Sequence, residues 1–168
     1  RLLTSSNGLG SDNVNAIHET GNGSLWFSTS AGLTRYANGE MFSIGRDHGL
    51  PAGAVYDMTE DRRGNLWLAT DKGIVALVRT QLAALVGGQI ETLTAQLYDH
   101  TSGMLTSECS GAHQQALLKS SNSVIYAATT HGLVVVEPDR EMAPRDPAGV
   151  VLTGLGVDGV ALALPDPQ

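Results

Sequence analysis

The feature that most constrains this chain is an internal repeat with a period of 41 residues. The segment that opens at Gly8-Leu9 aligns without a gap with the segment that opens at Gly49-Leu50. The register continues with Leu25-Trp26 over Leu66-Trp67, Thr29 over Thr70, and Gly32 over Gly73. A repeat of this length is one small supersecondary unit that has to stack on copies of itself to bury its apolar side.

A third, less regular copy follows in residues 99–140. It keeps the aromatic residue, the threonine and the glycine at spacings of three, as Tyr126, Thr129 and Gly132. Its opening glycine is Gly103, which is displaced from the 41-residue period because 13 additional residues enter the second copy. Ser121-Asn122-Ser123 stands where the other two copies have a glycine turn.

Each copy consists of short predicted strands separated by turns. In the first copy, apolar and polar residues alternate from Val14 to Glu19, and Asn22-Gly23 supplies the left-handed geometry of a tight hairpin. Further strands are expected at 25–29, 32–36 and 41–44, and no helical periodicity is present. The sequence therefore predicts an all-β fold of three four-stranded antiparallel blades of a β-propeller, as a fragment of a larger ring.

The repeated residues are predicted to be structural. The aromatic residues should fill the space between neighbouring blades, the threonines should bond the adjoining turns, and the glycines should occupy positions of positive φ or close backbone approach. The nine positions are Trp26, Trp67, Tyr126, Thr29, Thr70, Thr129, Gly32, Gly73 and Gly132.

The domain boundaries follow from the repeat and from turn residues. Leu82 to Val86, followed by Gly87-Gly88, predicts a short helix that should lie outside its blade. A proline-rich linker follows the last copy, and the C-terminal residues should begin a β-hairpin. The predicted units are a blade at 1–48, a blade at 49–98 with a helical insertion at 79–98, a closing blade at 99–140, a linker at 141–149 and the hairpin unit at 150–168.

Composition excludes several classes of protein. The net charge of −7 argues against nucleic acid as a partner. Cys109 is the single cysteine, so no disulfide can form within the chain. The sequence has no apolar stretch long enough for a membrane helix, and it begins at Arg1 in the middle of a pattern. We therefore expect a piece of a longer chain that would meet a membrane only through segments outside this sequence.

No catalytic residue, metal site or cofactor is predicted. The five histidines show no metal-ligand spacing, and no paired carboxylates, nucleophile elbow or phosphate loop occurs. The segment from Asp61 to Trp67 is similar to the Asp-box turn of sialidase-type propellers, which is a structural hairpin.

These repeats resemble the two-component regulator propeller family, whose pattern is roughly G-L-x-x-N-x-V followed by G-x-L-W-x-x-T-x-x-G-L. The resemblance implies a seven-bladed ring in the periplasmic sensor region of a receptor with a histidine kinase or diguanylate cyclase output. Residues 150–159 resemble the first strands of the immunoglobulin-like domain that follows such propellers. The matching segments are Asn13-Val14, Leu25-Trp26, Gly32-Leu33, Glu60-Asp61 and Gly64-Asn65-Leu66-Trp67.

The function that we predict is ligand sensing at the mouth of the central channel, where loops of successive blades converge. The candidate residues are Asp12, Asn13, His48 and Ser107, and the ligand would be a small molecule or an oligosaccharide of unknown identity. Two alternatives remain open: a structural or protein-interaction propeller, and a propeller glycoside hydrolase or lyase. We also expect a homo-oligomer that forms through the unpaired blade faces or through the C-terminal hairpin.

Overall fold

The computed structural model describes residues 1–111, 115–141, 155–157 and 160–162. Within this part of the chain, antiparallel strands dominate and two short helices occur. The strands are β1 Val14–Glu19, β2 Leu25–Thr29, β3 Gly32–Ala37, β4 Glu40–Ile44, β5 Val55–Glu60, β6 Leu66–Thr70, β7 Ile74–Leu77, β8 Gln96–Tyr98, β9 Leu117–Lys119, β10 Ile125–Thr129, β11 Gly132–Val136, β12 Leu155–Val157 and β13 Val160–Leu162. The helices are α1 Arg79–Val86 and α2 Pro138–Glu141.

The strands form sheets in which sequence neighbours pair. The first sheet has the order β1-β2-β3-β4, and the second has the order β5-β6-β7-β8. The third sheet contains β9, β10 and β11 among the described residues, with β10 in the centre. The predicted all-β class and blade architecture are confirmed. The described residues include no fourth strand for the third blade, and β11 is followed there by α2, which begins at Pro138.

The pairing register is the same in successive blades. Val14 lies opposite Thr29 in the first blade, and Val55 lies opposite Thr70 in the second. Both innermost pairs carry a β-bulge directly after that first position. The 41-residue period in the sequence therefore corresponds to a repeated three-dimensional unit, including its irregularity.

Each blade begins with the same loop geometry. A 3₁₀ turn precedes a glycine with positive φ at Gly8, Gly49 and Gly103. The next residue is buried each time, as Leu9, Leu50 or Met104. Gly103 therefore opens the third blade, as the spacing predicts.

The two ends of the blades are distinct. The opening loops lie at the same end as the hairpins between the second and third strands, because Ser11 Oγ is 2.8 Å from Ser30 Oγ and Gly53 N donates to Asp71 Oδ1 at 3.2 Å. We call this the loop end. The opposite end carries the turns between the first and second strands, and we call it the turn end.

The apolar core lies between blades rather than within one. One cluster joins the first and second blades and includes Trp26, Ile44 and Leu68. A second cluster joins the second and third blades and includes Trp67 and Ile125. A single sheet is too thin to cover its own faces, so each blade packs on its neighbour.

The middle blade is buried on both faces, whereas the outer two blades each have an exposed face. Met58 is 5% exposed, but Ile17, at the equivalent position of the first blade, is 68% exposed. Ile74 is fully buried, but Leu133, at the equivalent position of the third blade, is 64% exposed. Exposed apolar side chains in these repeated positions identify two faces suited to a further blade.

The aromatic residues occupy the interfaces that face the next blade. Trp26 packs in the core shared with the second blade, and Trp67 packs in the core shared with the third. Tyr126 is only half-buried, on the exposed face of the third blade. The three copies therefore share one orientation and differ in whether a neighbour covers them.

The repeated threonines and glycines close the hairpins at the loop end. The Thr29, Thr70 and Thr129 hydroxyls donate to the carbonyl oxygens of Gly32, Gly73 and Gly132 at 3.0, 2.7 and 2.8 Å. All three glycines have positive φ, at 118°, 139° and 122°. A Cβ on Gly73 would lie 2.1 Å from the carbonyl oxygen of Tyr98, so the outer strand β8 requires a glycine there.

The turn at the turn end of the second blade is built on one carboxylate. Asp61 Oδ1 accepts from the backbone N–H groups of Arg63 and Asn65 at 2.8 and 2.9 Å. Asp61 Oδ2 accepts from Asn65 Nδ2 at 2.9 Å and from Trp67 Nε1 at 3.1 Å. This single side chain ties the turn to the aromatic residue of the blade core.

The insertion in the second blade differs from its prediction in two respects. Residues 79–95 form α1 and a loop, while residues 96–98 are the fourth strand of the blade. Leu82 and Leu85 are buried in the core between the first and second blades, so the helix is not an external decoration. The reason is that its apolar side chains cover the turn end of that interblade core.

The C-terminal predictions lie largely outside the described residues. The linker predicted at 141–149 falls there apart from Glu141, which ends α2. The immunoglobulin-like unit at 150–168 is described only as β12 and β13, which pair antiparallel with Leu155 opposite Leu162. No helix in the described part of the chain is long and apolar enough to cross a membrane.

Candidate functional site

The loop end carries the four residues predicted to bind a ligand. Asp12 is exposed, and its Oδ1 accepts from the backbone N–H of Ser5 at 2.6 Å. Asn13 is exposed, and its side chain makes no hydrogen bond within the described residues. Asp12 therefore supports its own loop, whereas the amide of Asn13 is available to a ligand.

The other two candidates also bond within their own loops. His48 Nδ1 accepts from Gly45 N at 3.4 Å, and its ring packs edge-on against Phe42. Ser107 Oγ is 3.0 Å from His100 Nδ1. These contacts shape the second and third opening loops.

The four candidates lie in three different opening loops. Within the described residues, no hydrogen bond or ion pair links any two of Asp12, Asn13, His48 and Ser107. Asp12 and Asn13 belong to the opening loop of the first blade, and His48 and Ser107 belong to those of the second and third, at the loop end. The ligand site at the loop end therefore stays a prediction.

A second surface, which the sequence did not reveal, runs along the innermost strands. β1, β5 and β9 lie side by side, and the groove along them has a volume of about 950 Å³. Polar side chains line it, including Asn15, His18, Tyr56, Asp57 and Lys119. We call it the inner groove. The polar residues of the groove are visible in the first strand of each repeat. Only the stacking of the blades shows that these strands share a surface.

Hydrogen bonds between blades hold the inner groove in shape. Asn15 Nδ2 donates to the carbonyl oxygen of Val55 at 2.7 Å, which joins the first blade to the second. Asp57 Oδ2 accepts from Leu117 N at 2.9 Å, which joins the second blade to the third. Asp57 Oδ1 also accepts from Met58 N at 2.8 Å, so both of its oxygens are already in use.

The charged groups beside the groove centre on Glu60. His18 Nε2 lies 3.9 Å from Glu60 Oε2, and Lys119 Nζ donates to the Glu60 carbonyl oxygen at 2.7 Å. Burial raises the pKa of Tyr56 above its ordinary value of 10.0, and the nearby negative charges of Glu108 and Asp71 raise it further. The Tyr56 hydroxyl therefore stays protonated at neutral pH and can donate a hydrogen bond.

This arrangement suits the binding of a polar molecule. The inner groove offers amide, imidazole, phenol and ammonium groups along one open surface. Within the described residues, no three His, Cys, Asp or Glu side chains are grouped so that they could hold a metal ion. The thiol of Cys109 is buried and contacts the carbonyl oxygen of Gly73 at 3.5 Å, so it takes no part in the groove.

Two solved structures share the fold of this chain. The extracellular domain of a protein described as a hybrid two-component system, BT3049 from B. thetaiotaomicron, superposes with a TM-score of 0.71 at 22% identity over 97% of this chain. The corresponding domain of BT4673 from the same organism gives a TM-score of 0.56 at 16% identity over 82% of this chain. This chain spans only 22% and 17% of those structures. Among curated proteins, none matches this chain.

The family model of the two-component regulator propeller matches residues 8–31 and 49–72. These segments include the opening loops and the β1-β2 and β5-β6 pairs of the first two blades. The positions that the model covers are those that the structure shows in equivalent environments, including Trp26 and Trp67. The first two blades of this chain therefore carry the repeat that the two-component regulator propeller model describes.

Proposed function

We propose that this chain is part of the extracytoplasmic, ligand-sensing propeller of a bacterial two-component receptor, and that it has no catalytic activity of its own. The observation that carries the proposal is the family's repeat in a fold shared with extracellular domains of hybrid two-component systems. The periplasm is the compartment that this role requires. The output would be a histidine kinase or a diguanylate cyclase encoded outside this sequence.

We propose that the ligand binds at the loop end and contacts both the opening loops and the inner groove. Asn13 provides an exposed amide without an intramolecular partner in the described structure, and the groove supplies further polar groups such as Tyr56. Hydroxyl-rich molecules are recognised by such donors and acceptors on an open polar surface. A soluble oligosaccharide is the ligand class that we propose.

Isothermal titration tests this proposal on the whole extracytoplasmic region that contains the chain. A panel of soluble oligosaccharides should include one that gives a saturable heat, and Asn13→Ala should weaken it by about tenfold, as expected for one lost ligand hydrogen bond. Glu40→Ala, an exposed change at the turn end, is the matched control and should bind as the unchanged protein does. Absence of heat with every sugar in the panel would count against direct sensing.

A protein-interaction propeller is the alternative that one observation favours. Three of the four predicted ligand-binding side chains already bond within their own loops. Cross-linking in cells separates the two functions: an interaction propeller would be captured on a protein partner through the loop end and would give no heat with sugars. A hydrolase is disfavoured because both oxygens of Asp57 accept backbone hydrogen bonds.

A further inference from the structure

A cavity of about 600 Å³ lies between the first and second blades at the turn end, opposite the loops discussed above. We call it the interblade cavity. The indole of Trp26 and the side chains of Leu66, Leu82 and Val86 form its apolar lining. Its volume is within the range of sites that bind small molecules.

The insertion in the second blade, residues 79–95, forms part of this cavity between the first and second blades. In the first blade, β3 and β4 are joined by the two residues Asn38 and Gly39. In the second blade, residues 79–95 separate β7 from β8, and α1 within them supplies one wall of the cavity. The wall rests on Leu82 and Leu85, which are buried in the interblade core.

One difference between the blades leaves a hydrogen-bond donor unused in the cavity. In the second blade, Trp67 Nε1 donates to the carboxylate of Asp61. Thr20 takes the equivalent place in the first blade, and the single proton of its hydroxyl is shared between Asn22 Oδ1, at 2.7 Å, and the Ser24 carbonyl oxygen, at 3.0 Å. Within the described residues, no acceptor lies within hydrogen-bond distance of the indole N–H of Trp26.

Two guanidinium groups line the same cavity. Arg35 Nη2 donates to Ser24 Oγ at 2.9 Å, and Arg79 lies at the exposed mouth beside Gly64. Neither arginine forms an ion pair within the part of the chain that the structure describes.

Glu60 is the one acidic residue of the lining, so the cavity has an excess of positive charge. Its Oε2 accepts from Gly21 N at 3.2 Å and lies 3.9 Å from His18 Nε2. The Glu60 carboxylate is therefore already engaged at the edge of the cavity, and the guanidinium groups keep donors for a ligand.

We propose that the interblade cavity binds a small organic carboxylate with an apolar body. The carboxylate would accept from Arg35, Arg79 and the indole N–H of Trp26, and the apolar body would pack against Leu82 and Val86. Guanidinium groups suit this role because their planar donors match a carboxylate. The site is separate from the loop end, so it does not depend on the sensing role proposed above.

Nuclear magnetic resonance of the ¹⁵N-labelled chain tests this assignment, because the sequence contains two tryptophans and hence two indole N–H signals. Benzoate is the probe, and neutral benzamide and inorganic phosphate are the comparison probes. Trp67→Phe assigns the signals. We expect benzoate to shift the Trp26 signal in a saturable way and to leave the Trp67 signal in place, while benzamide and phosphate give weaker effects.

Two variants locate the site. Arg35→Gln should weaken benzoate binding by about tenfold, as expected for one lost charge-assisted hydrogen bond. Thr20→Asp copies the Asp61 arrangement, so it should abolish binding while its new carboxylate accepts from the Trp26 indole. Arg62→Gln, which removes an exposed arginine outside the cavity, should bind as the unchanged chain does.

Four results of these experiments would contradict a carboxylate site in the interblade cavity. Equal shifts of both indole signals, no shift with benzoate, or tighter binding of phosphate would each overturn the proposal. Full benzoate affinity in Arg35→Gln would do so as well. The urea midpoint of each variant shows whether it is folded. If a variant is unfolded, the comparison of benzoate with benzamide on the unchanged chain decides whether the cavity recognises a carboxylate.

Discussion

Replacement of the buried Asp61 by alanine should destabilise this chain more than the replacement of any exposed or half-exposed carboxylate by alanine. The side chain of Asp61 is 6% exposed and accepts four hydrogen bonds. In Asp61→Ala the N–H of Arg63, on the exposed turn, can bond water instead. The backbone N–H of Asn65, its side-chain Nδ2 and the indole N–H of Trp67 are enclosed and lose their acceptor.

The magnitude follows from those enclosed donors. A buried donor without an acceptor costs about 1–3 kcal/mol, so the three together predict a loss of about 6 kcal/mol in the free energy of unfolding. The first blade suggests a partial rescue, because Asn22 Oδ1 accepts from Ser24 N at 3.1 Å in the equivalent turn. The double variant Asp61→Thr with Arg63→Asn should therefore recover about a third of the loss, since Asn65 Nδ2 and the indole stay unpaired.

Urea unfolding followed by tryptophan fluorescence measures these values, and an unchanged slope shows that the change lies in stability. Arg63→Asn alone is the matched control. It removes the exposed ion pair with Asp139, at 3.5 Å, and leaves the Asp61 carboxylate in place, so it should cost less than about 1 kcal/mol. A loss below about 1 kcal/mol in Asp61→Ala would refute the view that this carboxylate holds the turn to the blade core.

Three further predictions concern the blade edges and the core. Gly73→Ala should destabilise the chain by several kcal/mol more than Gly132→Ala in the same urea assay, because both φ values are positive but only the Cβ on Gly73 would meet a backbone carbonyl, at 2.1 Å. Equal losses would contradict the close approach of the outer strand. Burial raises the pKa of the Cys109 thiol above 9.0, so the folded chain keeps a proton that the unfolded chain releases, and the free energy of unfolding should fall as pH rises above about 9. Cys109→Ala should lack that part of the pH dependence, and an identical profile would exclude the thiol as its source. The chain should self-associate in sedimentation experiments through its exposed blade faces, and Leu133→Lys with Val135→Lys should shift it toward monomer, because these side chains are 64% and 55% exposed. A monomer at high concentration before any substitution would count against this surface.

The strands and turns within each blade could be predicted because they depend on residues close together in the sequence. Alternation from Val14 to Glu19 and the turn at Asn22-Gly23 specify a hairpin without reference to distant residues. The repeat then applies the same geometry to the second blade, including the turn that contains Gly64. Even Ser123, which departs from the glycine pattern, takes the positive φ of that turn, at 68°.

Contacts between blades were less accessible to sequence reasoning. The apolar residues of α1 could be read as a short helix, but the sequence does not say that Leu82 would be buried beside Trp26. The inner groove was not predicted for the same reason. Asn15 and Asp57 are 42 residues apart in the sequence and line one groove only because the blades stack. Thr20 stands in the first blade where the second has Asp61, and the consequence for the Trp26 indole depends on the tertiary structure.

By itself, the sequence determined the fold class, the repeating unit and the positions that hold each hairpin, because these depend on neighbours within a few residues. The tertiary structure decided which faces are covered, where polar groups converge and which donors lack a partner. Those properties depend on the packing of one blade against the next, and a pattern within a single repeat does not specify them.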